Sequence, residues 1–241
     1  MSNVVLSHPA STRSPVASGG KLVTAVVLAV WFTLVIVLGA RGEFVTPPGT
    51  PPLPILIGVM APIILFLAGY GMSSSFREFV LAIDLRLMMG VQAWRFAGLG
   101  FLALYAHGAL PGIFAWPAGL GDIAIAVTAP WVLVALIRQP SFAASKTFVV
   151  WNVLGILDLV VAVGTGALVA TGVTGEVTTG PMAQLPLVVI PAYLVPIFIM
   201  LHLAALFQAR RVAERMSERN RRPTTPSVQR SHSGNSPSCD R

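Results

Sequence analysis

Polar and apolar positions alternate along this chain in long blocks rather than turn by turn. Six nearly uninterrupted apolar runs, residues 22–40, 53–71, 87–107, 118–138, 147–170 and 185–208, are separated by short polar stretches. Each run supplies the roughly 20 apolar residues that carry a helix, at about 1.5 Å per residue, through about 30 Å of hydrocarbon. The pattern predicts an all-α integral membrane protein of six transmembrane helices, residues 21–208, with no separate soluble domain. The first run exceeds the roughly 7–15 apolar residues of a cleaved signal peptide, so it reads as a retained helix; cleavage near Gly39 or Ala40 is the competing reading.

The polar stretches differ from one another. Residues 1–20 and 223–241 are rich in Ser and Pro and read as disordered tails. Ser75 and Glu78 have the spacing of a capping box ahead of Phe76, Phe79, Val80, Ile83 and Leu87. That predicts a short interfacial helix over 76–86 with Arg77, Glu78, Asp84 and Arg86 toward water. Residues 209–222 extend the last helix as a basic cytoplasmic rod, ended by Pro223.

Basic residues fall on one side of the predicted membrane. Arg13, Lys21, Arg77, Arg86, Arg138, Lys146 and the eight arginines after Ala209 share a side, and Arg41 stands alone on the other. Positive charge is retained in the cytoplasm, so both termini are expected there. The alternation also hints at three helical hairpins. WRFAGLGFL from Trp94 and WNVLGILDL from Trp151 share spacing, and Trp31 stands in a similar place. Apolar composition alone also produces such matches. Prolines 191 and 196 mark the sixth helix as the one to be bent or broken.

Composition narrows the classes. Hydrophobic residues make up 55% and charged residues 10%, against about 25% charged in soluble domains. The net charge of +7 is concentrated in the tail beside the last helix, which points to anionic lipid headgroups rather than nucleic acid, at about 1 kcal/mol per basic residue near the surface. Fourteen arginines against two lysines suggest a GC-rich genome and a bacterial plasma membrane. The single Cys239 excludes an internal disulfide and a thiolate metal cage.

Candidate chemistry lies in the polar residues at membrane depth, since charges there cost roughly 2.5–3.5 kcal/mol and seek a partner or a wet cavity. Counted from the cytoplasmic side, Arg95 falls at about 12 Å and Asp158 at about 17 Å, close enough to pair between the third and fifth helices. Gln92, Asn152 and His202 are candidates for the shell around that pair. Asp122 is expected in the outer half with His107 and Tyr105, where it either caps its helix or serves as a base. The Arg95–Asp158 pair reads in two ways: as a lock on helix packing, or as part of a pathway for a small solute or ion, possible proton linkage included.

Motif searches assign no catalytic residue. There is no Walker loop, HExxH, CxxC or GxSxG. His107 and His202 lie about 20 Å apart in depth, too far to share one haem iron, so no cofactor and no metal are expected. GLGFLA at Gly98 and GLGDIA at Gly119 match a dinucleotide fingerprint only in letters. They read as surfaces for close helix approach, as does the stripe Ala162, Gly166, Ala170. The Trp94–Gly98–Phe101–Tyr105 and Trp151–Gly155–Asp158 faces are expected to meet each other. The leading functional expectation is passage or exchange of a small solute or ion. The rival is a non-transporting subunit or assembly factor that docks a partner subunit or a second copy. A third class, an enzyme acting on lipid, would rest on Asp122, His107 and Tyr105, with no nucleophile to accompany them.

Overall fold

The computed structural model describes residues 15–221, apart from 48, 174, 176 and 177. The expected tails over 1–14 and 223–241, with Cys239, lie outside the described residues. Every regular element among the described residues is helical, and six helices are long and apolar enough to cross a membrane, the build of a multi-pass membrane protein.

Helix α1 (Pro15–Ala40) starts ahead of Lys21, so the helical part reaches into the stretch expected to be tail. Helix α2 (Leu53–Met72) opens with Pro54 in its first turn, where a missing N–H costs nothing. Helix α3 (Ser74–Ala82) is N-capped by Ser73, whose Oγ accepts from the Phe76 N–H at 3.2 Å. The cap is therefore two residues ahead of the expected Ser75. The interfacial segment also divides at Asp84, whose carboxylate accepts from the Arg86 N–H at 2.8 Å and starts the next helix. That helix, α4 (Leu85–Ala106), contains a 3-10 stretch over Gln92–Gly98.

Helix α5 (Gly112–Arg138) begins one and a half turns before the expected start, with Pro117 inside it rather than at its boundary. Ser145 caps α6 (Lys146–Ala170) by accepting from the Phe148 N–H at 3.1 Å. The final helix, α7, opens as π-helical Ile190–Leu194 and continues as α-helix over Val195–Arg221. The irregular turn falls on Pro191, where no backbone N–H is available to close an α-turn.

The described residues of the connections 41–52, 107–111 and 171–189 gather at one end of the bundle, the loop end. α3, residues 139–145 and the extension of α7 mark the other, the tail end. α5 packs between α4 and α6, and α7 lies across α6, α4 and α2. One apolar cluster fills the tail end around Met88, Met89, Phe148 and Ala205. Another fills the loop end around Phe101, Phe114, Val169 and Met182. Gln208 of α7 ties down α3 by donating to the carbonyls of Val80 and Ile83 at 3.1 and 2.9 Å, which satisfies acceptors that the helix end leaves free.

Candidate functional site: a guanidinium shared by two carboxylates

Between the two apolar clusters lies the polar centre of the molecule. The Arg95 side chain is fully enclosed, with none of its surface exposed. Its Nε donates to Asp122 Oδ1 of α5 at 2.7 Å, and its Nη2 donates to Asp158 Oδ2 of α6. Nη1 reaches the Gly155 carbonyl at 3.4 Å and His202 Nε2 of α7 at 3.3 Å. One side chain thus joins four helices. An arginine can only donate, so Nε2 of His202 accepts and the ring proton sits on Nδ1. That proton is donated to Asn152 Oδ1 at 2.9 Å, and Asn152 Nδ2 donates in turn to the Phe148 carbonyl at 2.9 Å. The Phe198 ring lies 5.9 Å from the guanidinium carbon, within cation–π range.

Glycines make this packing feasible. A Cβ on Gly121 would collide with the Asp158 carboxylate, one on Gly155 with the His202 ring, and one on Gly98 with Asp122. Gly98 and Gly119 face each other across α4 and α5: a Cβ on either would stand 3.0–3.1 Å from the other's carbonyl oxygen. The first glycines of the two G-x-G-x-x-A matches therefore meet, and they do so as a helix contact. The expected meeting of the two Trp–Gly faces is corrected. Gly98 opens toward α5, Gly155 toward α7, and Trp94 is 79% exposed. Trp151 instead donates from Nε1 to Thr128 Oγ1 at 2.8 Å.

The sequence paired Arg95 with Asp158 and placed Gln92, Asn152 and His202 nearby. The structure joins all of these except Gln92 by hydrogen bonds. Gln92 is buried one 3-10 turn from Arg95, and neither atom of its amide meets a partner among the described residues. The placement of Asp122 with His107 and Tyr105 is corrected. Because α5 starts at Gly112, Asp122 lies about 15 Å into the helix at 1.5 Å per residue, level with Arg95. His107 stands exposed at the end of α4. Tyr105 packs edge-on to Trp116 at 5.9 Å. The glycine that makes room for Asp122 is Gly98 on α4, while Gly121 beside it makes room for Asp158.

A cavity of about 200 Å³ opens from the loop end and descends to Asp122. Its walls are Phe101, Phe114, Leu159, Val163 and Val195, with Pro191 of the π-turn; Thr46, Thr178 and Gln184 stand nearer the mouth. The small-residue stripe Ala162, Gly166, Ala170 lines this space, and Gly166 also makes room for the Phe114 ring, which a Cβ there would meet at 3.3 Å. Arg95 and Asp158 do not line the cavity. Asp122, 15% exposed, is the one member of the cluster that borders it.

A family model described as Domain of unknown function (DUF8737) matches residues 52–210. The chain belongs to this family. No curated protein and no solved structure matches the chain. The DUF8737 match runs from the start of α2 into α7, so it contains every residue of the Arg95 cluster and leaves α1 outside. The cavity lining also falls within it, apart from Val45, Thr46 and Pro47.

Chemically, the DUF8737 centre holds two carboxylates against one guanidinium, with Asp122 at the border of a cavity. Such an arrangement has capacity for one further positive charge. No group of His, Cys, Asp and Glu among the described residues is arranged to hold a metal ion. The cluster has no nucleophile placed beside a base.

Proposed function

We propose that the protein is a carrier for a small solute or ion in a bacterial plasma membrane, with proton linkage through the Arg95 cluster. Both termini face the cytoplasm in this reading, which rests on the basic residues of alternate connections. The cavity then opens outward, and the arginines of the α7 extension meet anionic headgroups. The observation that carries the proposal is the meeting of an open cavity with an over-acidic ionic cluster at Asp122. Irregular backbone lies on both sides of that junction: the 3-10 stretch around Arg95 and the π-turn in the cavity wall. Such segments often mark functional hinges.

A proton on Asp158, or a charge delivered to Asp122, loosens the hold of Arg95 and lets α4 shift against α6. Access then passes from the loop end to the tail end, by way of Gln92, whose amide meets no partner among the described residues, and of Met88 one turn further on.

A second reading has its own observation. Arg95 is wholly enclosed and Asp158 does not border the cavity, as a pure packing lock in a non-transporting subunit requires.

Cysteine accessibility separates the two. In a Cys239→Ser background, Ala167→Cys is expected to react with an impermeant maleimide from the loop side, and Met88→Cys to be protected. Adding Asp158→Asn is expected to make Met88→Cys react from the tail side at least tenfold faster. Protection of Met88→Cys in both backgrounds contradicts the carrier and favours the lock.

A further inference from the structure

We infer that the loop-end cavity is a binding site for a small organic amine with an apolar body, its ammonium seated on Asp122. The inference deepens the carrier reading and rests on it for the cavity's role. It names the solute class from three features of the cavity.

The first feature is charge. Asp122 uses Oδ1 to accept from Arg95 and makes no other hydrogen bond among the described residues, although its side chain borders the cavity. Asp158 is held by the same guanidinium, and with both carboxylates ionised the cluster counts two negative charges against one positive. An ammonium placed against Oδ2 brings the group to neutrality, which a low-dielectric setting strongly favours. A carboxylate ligand would add a third negative charge, and a neutral ligand would leave the imbalance in place.

The second feature is the wall. Between its polar mouth and its acidic floor the cavity is bounded by Phe101, Phe114, Leu159, Val163 and Val195. Phe101 and Phe114 meet edge-to-face at 5.4 Å, which offers a ring edge and a ring face to an apolar ligand. An inorganic cation would leave these walls unused and would have one carboxylate for coordination.

The third feature is size. A dry cavity of about 150 Å³ takes benzene, so the present volume of about 200 Å³ accommodates an aromatic ring with a short aminoalkyl arm. Ala162, Gly166 and Ala170 on α6 line this space, and their small side chains leave it open.

Phenethylamine is a suitable probe, with 2-phenylethanol and phenylacetate as its neutral and anionic counterparts. Equilibrium binding of radiolabelled phenethylamine to the full-length protein in detergent is expected to show one saturable site. 2-Phenylethanol should compete at least tenfold more weakly, and phenylacetate not at all. Asp122→Asn should weaken the amine at least tenfold without weakening 2-phenylethanol. Ala167→Phe fills the cavity away from the ionic cluster and should remove binding of both, which keeps the test decisive if Asp122→Asn fails to fold. Absence of a saturable amine site, equal affinity for 2-phenylethanol, or amine binding unchanged by Ala167→Phe overturns the inference. Amine binding with Met88→Cys protected in both backgrounds supports the site and refutes the carrier. Tail-side opening without amine binding refutes the site and leaves the carrier standing.

Discussion

Helices α1 and α7 are both long and apolar, yet only 6% of the apolar window of α1 is buried against half of that of α7. α1 leans on the rest of the bundle through Trp31 and Val35 and through the Tyr193 hydroxyl, which donates to the Leu28 carbonyl at 3.2 Å. α7 brings His202 into the ionic centre and Gln208 onto α3. Lipid tails are as apolar as leucine, so hydropathy confers no drive for one helix to pack on another. Polar insertions, and glycines that make room for them, decide which helices form the interior.

The sharpest way to break this contrast is at Arg95. Arg95→Met leaves two enclosed carboxylates without a counter-charge and is expected to destabilise the fold by about 3–5 kcal/mol, read by reversible unfolding in mixed micelles. Gly121→Ala and Gly155→Ala drive a methyl into Asp158 and His202. Each is expected to cost about 1–3 kcal/mol in the same assay, as overpacking does. Trp151→Phe removes one interhelical hydrogen bond to Thr128 and should cost about 0.6 kcal/mol, the mean for such bonds in a membrane. Val26→Ala with Val30→Ala, both on the exposed face of α1, should change stability by less than about 0.5 kcal/mol. A large effect there would mean that α1 has a partner, such as a second copy of the chain.

The helices were legible in the sequence because hydrocarbon thickness fixes their length. The pairing of Arg95 with Asp158 was legible because two opposite charges at similar depth have few other ways to be solvated. The depth of Asp122 is hidden for a local reason: Pro117 reads as a boundary, whereas a proline is tolerated inside a membrane helix when neighbours re-satisfy the backbone. The shift of one and a half turns moved the residue from an outer cap to the centre. The cavity was not legible, since the same Ala–Gly stripe serves a tight helix contact or an open space, and only the arrangement of neighbouring helices distinguishes them. The 3-10 stretch around Arg95 carries no proline and left no signature in the sequence.

The central claim is that Arg95 is held jointly by Asp122 and Asp158, and a double-mutant cycle of unfolding free energies tests it most directly. Arg95→Met would be combined with Asp122→Asn and, separately, with Asp158→Asn. Each cycle should return a coupling of at least about 1 kcal/mol, with the double variants more stable than Arg95→Met alone. Additivity within about 0.3–0.5 kcal/mol in either cycle would contradict the shared guanidinium.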